Sequence, residues 1–243
     1  MLITVAIVSL IAGLLIGLTG IGGVLLVPVL TQVAGIALDR AIAASVFGFI
    51  IAGAYAAFVH LRRARLQARP VIVLCAASAA GAMAGAASLD WLPPGAVRLF
   101  IALLCLASGL NALSRRPGKT GAAPPPALLG ILGAIVGYAS AISGTGGPVT
   151  LIPLLLFLRT PVAAAIALAL AAQLPISIAG AAVYAWQGRI DLELGAALGA
   201  LLVIGTYAGA RLSARLAGRG LTVAVALVLV AVGLWYGYAT LAT

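Results

Sequence analysis

Charge is scarce in this 243-residue chain: only 7% of it is Asp, Glu, Lys or Arg, against about 25% in soluble domains. Too few polar side chains remain to cover a water-facing globule, so a soluble domain is excluded. The acids number four, Asp39, Asp90, Asp191 and Glu193, and the only histidine is His60. That set holds little acid–base machinery, and neither a Walker A sequence nor an HExxH motif is present, so an enzyme is not expected. No Asp or Glu falls deep inside an apolar run, which removes the carboxylate relays that mark many pumps. Two cysteines, Cys75 and Cys105, both lie in apolar runs. They form neither a disulfide framework nor a metal site and are read as small hydrophobes. No cofactor is expected.

What the chain has instead is apolar sequence, 64% of the total. The runs are continuous rather than alternating and too long for barrel strands, so the fold expected is an all-α polytopic membrane protein. The net charge of +10 belongs to the loops of such a protein, and nucleic acid is not an expected partner. Residues 2–18 follow no basic residue and precede no cleavage site, so they are read as part of the folded chain.

Eight apolar segments cover roughly 2–34, 41–60, 70–89, 96–113, 127–158, 161–186, 192–210 and 221–241. A polar, proline-rich stretch at 114–126 divides them into two sets of four, giving a first repeat at 1–113, a linker, and a second repeat at 127–243. A shift of 124 residues superposes Gly13 on Gly137, Gly20 on Gly144, Gly22 on Gly146, Gly23 on Gly147, Gly81 on Gly205, Gly85 on Gly209 and Gly109 on Gly233. It also pairs Thr19 with Ser143, which together indicate an internal duplication.

The first segment of each set is too long for one span and too short for two. Glycines break it, at Gly17-Leu18-Thr19-Gly20-Ile21-Gly22-Gly23 and at Ile142-Ser143-Gly144-Thr145-Gly146-Gly147-Pro148. If each broken segment returns to the side it entered and the other three cross once, 11 of the 14 basic residues share one side with the linker. These are Arg62, Arg63, Arg65, Arg69, Arg115, Arg116, Lys119, Arg159, Arg211, Arg215 and Arg219, and that side is expected to be cytoplasmic. Three crossings per set invert the second repeat relative to the first and leave both termini outside, with the glycine hairpins meeting near the midplane.

Helices starting near Val24 and Pro148 would point unpaired N–H groups and a positive dipole end at the centre. The candidate binding residues are therefore Thr19, Gly20, Gly22 and Gly23 in the first motif and Ser143, Gly144, Thr145, Gly146 and Gly147 in the second, with Gln173 as the best further lining residue. Ser45, Tyr55, Ser177, Tyr184, Thr206 and Tyr207 could line a path or serve as interhelical hydrogen-bond glue. Gly81, Gly85, Gly205 and Gly209 read as packing glycines, His60 as interfacial, and Trp91, Trp186 and Trp235 as interfacial anchors.

The stretch Ala12-Gly13-Leu14-Leu15-Ile16-Gly17-Leu18-Thr19-Gly20-Ile21-Gly22-Gly23 with Val27-Pro28-Val29-Leu30, echoed by Gly144-Thr145-Gly146-Gly147-Pro148 with Ile152-Pro153-Leu154-Leu155, resembles the duplicated signature of the TauE/SafE sulfite-exporter family. The resemblance covers essentially the whole chain. It implies transport of sulfite, organosulfonates or other small organic anions across the prokaryotic plasma membrane, most simply as a secondary exporter. The sequence departs from the family in Val24, where many members have glycine, and in a spacing to Pro153 one residue longer than to Pro28. The relatives that take up thiosulfate rely on motif cysteines, and Cys75 and Cys105 lie outside both motifs. A carrier for a carboxylate such as lactate or glycolate, and a structural membrane subunit that does not transport, are the alternatives. The partners expected are a small anion and the lipid bilayer, with a homodimer left open.

Overall fold

A computed structural model describes residues 2–19, 22–61, 67–114, 124–215 and 219–242. Among them are ten α-helices and no strand. They are α1 (Leu2–Thr19), α2 (Leu26–Gln32), α3 (Leu38–Leu61), α4 (Ala68–Ser88), α5 (Pro94–Ser114), α6 (Pro126–Ser143), α7 (Pro148–Phe157), α8 (Val162–Trp186), α9 (Leu192–Arg215) and α10 (Arg219–Leu241). Short 3-10 turns at Gly23–Leu25 and Leu89–Trp91 precede α2 and α5. Each long first segment is broken where the glycines cluster, into α1 and α2 in one half and α6 and α7 in the other. Gly20 and the basic residues Arg62, Arg63, Arg65, Arg115, Arg116 and Lys119 lie outside the described residues, as does most of the linker.

Helices α3, α4, α5, α6, α8 and α9 are each long and apolar enough to cross a membrane. The reading of 127–158 as a returning hairpin thus meets a first arm, α6, that could reach across alone: its 18 residues correspond to about 27 Å of rise. Large apolar side chains cover the outside, Ile72, Leu103, Ile131, Trp186 and Tyr238 among them, as a hydrocarbon solvent requires. The interior is built from small residues, with Ala41, Ala43, Ala44, Ala165, Ala169 and Ala172 completely buried.

Small residues matter because no hydrophobic driving force separates helix from lipid, and close backbone approach supplies the packing energy instead. A methyl group added at Gly13 would lie 2.6 Å from the Leu202 carbonyl oxygen, and one at Gly209 would collide with that of Leu14. In the other half, additions at Gly81 and Gly137 would run into the carbonyls of Ala134 and Ser78. These seams join α1 to α9 and α4 to α6, and in both the contacting residue numbers rise together, so the paired helices run parallel. Gly109 meets Ala226 and Val230 of α10, while Gly233 meets Ala102 and Leu106 of α5, an antiparallel seam. Gly53 faces Gln173 and Gly180 faces Val46, so α3 and α8 also cross antiparallel.

The contacts are reciprocal under the shift of 124 residues: Leu10 touches Gly205 as Ala134 touches Gly81, and Leu14 touches Gly209 as Tyr138 touches Gly85. Exchanging the halves therefore maps these seam contacts onto one another. The ends of the parallel helices α4 and α8 are tied by an ion pair between Asp90 and Arg189, beside the exposed Trp91 and Trp186.

Gly137→Ala should lower the unfolding midpoint in detergent, by an overpacking cost of about 1–3 kcal/mol. Gly95→Ala, in the first turn of α5 with open space around it, should be neutral or stabilising by up to about 1 kcal/mol. Equal midpoints for the two variants would show that the seam does not depend on a missing Cβ.

Candidate functional site

The two glycine breaks differ in backbone. In the first, the chain turns back on α1: a Cβ on Gly22 would stand 2.5 Å from the Ala12 carbonyl oxygen and 2.9 Å from the Ile16 nitrogen. In the second, α6 ends on Gly144 at φ 66°, whose N–H donates to the Ser140 carbonyl as a left-handed helix cap. Gly146 and Gly147 follow at φ 78° and 102°, and Pro148 opens α7 at its first position. All three positive-φ positions need glycine because a Cβ would clash with the backbone there. The N–H groups of Gly146 and Gly147 have no backbone acceptor among the described residues.

The breaks meet. A Cβ on Gly23 would lie 3.1 Å from the Thr145 carbonyl oxygen, and Gly144 abuts Val27 and Ile42. Phe49, midway along α3, lays its ring against both loops: its Cζ is the nearest atom to Gly23, and its Cγ and Cδ2 are nearest to Gly146. On the other side of the second loop, Gly147 faces Ile176, with Gln173 Cα and Ser140 Oγ each 3.9 Å from where its Cβ would be.

Polar groups gather at this junction. Ser140, Ser143, Thr145, Gln173 and Ser177 are all at most 2% exposed. Ser143 Oγ donates to the Ala139 carbonyl at 2.6 Å and lies 3.0 Å from Thr145 Oγ1. Ser140 Oγ, Gln173 Oε1 and Ser177 Oγ have no hydrogen-bond partner at all. Gln173 and Ser177 are one turn apart on the same face of α8. Leaving a buried polar group unpaired costs about 1–3 kcal/mol, so Ser140 and Gln173, both beside Gly147, make this junction a candidate place for a ligand or water to supply missing bonds.

Of the residues expected from the motifs, the second-half set and Gln173 converge here. Gly22 and Gly23 sit at the junction as packing positions; Gly20 and the side chain of Thr19 are outside what the structure describes. Ser140 and Phe49 were not singled out by the motifs. Under the 124-residue shift Ser140, Thr145, Gln173 and Ser177 map onto Ile16, Ile21, Phe49 and Gly53, so the polar cluster belongs to one half only. Of the other polar residues, the Tyr184 hydroxyl joins α8 to α6 by donating to the Ala141 carbonyl at 3.0 Å, Ser45 Oγ donates back to the Ala41 carbonyl of its own helix at 2.8 Å, and Thr206 Oγ1 is buried without a partner. Tyr207 is on the surface under the Arg211 guanidinium, 4.4 Å from its ring centre.

The prolines explain the cysteines. A proline inside a helix leaves the carbonyl four residues back without its N–H. For Pro28, Pro153 and Pro175 those carbonyls belong to Val24, Val149 and Ala171. Each is met by a side chain of a neighbouring helix, Cys105 Sγ at 4.0 Å, Ser108 Oγ at 3.4 Å and Cys75 Sγ at 3.5 Å. Cys105 and Ser108, on one face of α5, thus support the starts of both α2 and α7.

The fold is that of an integral membrane protein with buried, unpartnered polar side chains beside the second glycine loop. The sequence profile described as Sulfite exporter TauE/SafE matches residues 5–236, and the chain belongs to that family of membrane transporters. No curated protein and no solved structure matches it at the same standard.

Gln173→Leu removes the unpaired amide while nearly keeping its shape. It should leave the unfolding midpoint unchanged or raised, yet weaken anion binding at least tenfold, as read by ligand-induced thermal shift. A variant that binds anion as the parent does would take Gln173 out of the site.

Proposed function

We propose that the protein is a secondary transporter that exports a small sulfur oxyanion, sulfite or a compact organosulfonate, and that the anion is held in a chamber between the second glycine loop and α8. The observation that carries this reading is the pair of buried, unpartnered groups Ser140 Oγ and Gln173 Oε1, on residues that lie against Gly147 at the N-terminus of α7, with the unpartnered Ser177 Oγ one turn further along α8. The hydroxyls donate, the Gln173 amide presents its NH2 face by rotating half a turn, and Gly146 and Gly147 offer backbone N–H groups at the positive end of the helix. Removing an anion from water costs several kcal/mol. Hydrogen bonds to a charged partner contribute about 1.5–3 kcal/mol each, so four or five such donors are of the right scale to offset it. Tetrahedral or pyramidal oxyanions have oxygens enough to use them all.

The repeats are proposed to be inverted. Along α1, α3 and α9 the seams run one way and along α4, α6 and α8 the other, so each helix opposes its counterpart 124 residues on. With the basic loops cytoplasmic, both termini and the Asp90–Arg189 pair face outside the plasma membrane. Trp91→Cys should then react with an impermeant thiol reagent applied to intact cells and Ser213→Cys should be protected, with the unsubstituted protein as background; the reverse pattern would reject this orientation.

Energy coupling follows from the acids. Asp39, Asp90, Asp191 and Glu193 all sit at helix ends, so no carboxylate carries a proton through the membrane. The membrane potential, worth about 2.3 kcal/mol per charge per 100 mV, favours export of an anion from an interior-negative cell. In liposomes at fixed pH, sulfite flux should follow an imposed potential and need no sodium. Flux that ignores a potential clamped to zero or reversed would reject the scheme, and lactate or glycolate competing better than sulfite would assign the chamber to a carboxylate.

A further inference from the structure

The junction of the two loops has polar side chains from the second half only. Phe49 and Gln173 are counterparts under the 124-residue shift, and each lies against the glycine that ends its own half's motif, Phe49 by its ring against Gly23 and Gln173 by its Cα against Gly147, with its side chain directed at Gly53. At the position where the second half carries this amide residue, the first carries a phenyl ring, 1% exposed and wedged between Gly23 and Gly146. The surrounding replacements agree: Ile16 stands where Ser140 would be and Gly53 where Ser177 would be. Gly53 in turn leaves room for Gln173, whose Cγ is 3.4 Å from where a Cβ on Gly53 would be.

We propose that Phe49 is the size-determining residue of the transporter: its ring packs against Gly23 and Gly146 beside the proposed anion site, and so restricts the cargo to an anion with little or no organic substituent. The inference rests on the anion site proposed above. Its logic is steric. The ring touches both loops at once, so a substituent on the bound anion that points away from Gln173 meets the phenyl face rather than open space. A packed aromatic ring cannot be displaced without losing its contacts with both loops. Gly23 and Gly146 are also the positions where anything larger than hydrogen would crowd the ring, at 2.5 Å and 3.0 Å respectively, so ring and glycines fit as one unit.

The test compares binding of sulfite, methanesulfonate and benzenesulfonate to the purified full-length protein, to Phe49→Ala and to the more conservative Phe49→Leu, by thermal shift and by competition with radiolabelled sulfite in proteoliposomes. The expected result is that the affinity for benzenesulfonate relative to sulfite rises at least tenfold in Phe49→Ala and less in Phe49→Leu, with methanesulfonate in between. A merely structural role for the ring would lower binding of all three anions together. Unchanged relative affinities in a folded Phe49→Leu protein would overturn the inference even if Phe49→Ala fails to fold. A parent protein that responds to none of the three anions would bring down the site reading and this inference with it. A parent that binds sulfite, paired with variants of unaltered selectivity, overturns only the role of Phe49.

Discussion

Every backbone N–H and C=O within a membrane must find its partner inside the protein, and a helix broken at depth violates that rule unless neighbours repair it. The repair here is visible bond by bond. Pro28 and Pro153 stop α2 and α7 from completing their own ladders, and α5 answers both from one face, with Cys105 reaching towards Val24 and Ser108 towards Val149. Pro175 does the same to α8, and Cys75 of α4 takes up the Ala171 carbonyl. Gly144 spends its own N–H on Ser140 to close α6. Among the described residues the buried side chains left without a partner include Asn111, Thr160, Ser177 and Thr206 as well as Ser140 and Gln173. Ser140 and Gln173 differ from the rest in lying beside Gly147, where a helix starts.

The two halves have kept and lost different things. They keep the pairs Gly13 and Gly137, Gly81 and Gly205, Gly85 and Gly209, and Gly109 and Gly233, because a methyl group at any of these would crowd a facing carbonyl of the other half, and reciprocal contacts place the same demand on both copies. They diverge at the proposed site, where a single bound anion would need one set of donors. Doubling the donors would bury a second group of unpaired hydroxyls, each costing about 1–3 kcal/mol when the site is empty. Filling the spare half with Ile16 and Phe49 removes that cost and restores apolar packing.

Much of this was legible in the sequence. The eight segments and the breaks in the two glycine motifs follow from apolar run length and from the poor helix propensity of glycine, both local properties. Ser140 was harder to see, since a serine inside an apolar helix normally bonds back to its own backbone, as Ser45 does, and only tertiary context leaves it free. Phe49 was invisible for the opposite reason: an aromatic residue in an apolar span carries no mark of function. The cysteines read as hydrophobes because a thiol is a weak donor. Their task appears only when the residues four before each proline are located across the helix interface.

The scarcity of charge and the chemistry of the chamber are the same fact seen twice. A lysine or arginine at the centre of a spanning helix costs about 2.5–3.5 kcal/mol on insertion scales, and one placed beside the loops would bind an anion too firmly to release it. Hydroxyls, an amide and the N–H groups of a helix start attract an anion without carrying a full charge, so they can be buried empty at modest cost and still release what they hold. The described arginines accordingly keep to the ends: Arg40 and Arg98 in first turns, Arg69 near the start of α4, Arg211 near the end of α9, and Arg159 and Arg189 in connections. A site made of partial charges also has little grip by electrostatics alone. Its selectivity must come from shape, and in this chamber shape is set by three left-handed glycines on one side and a phenyl ring on the other.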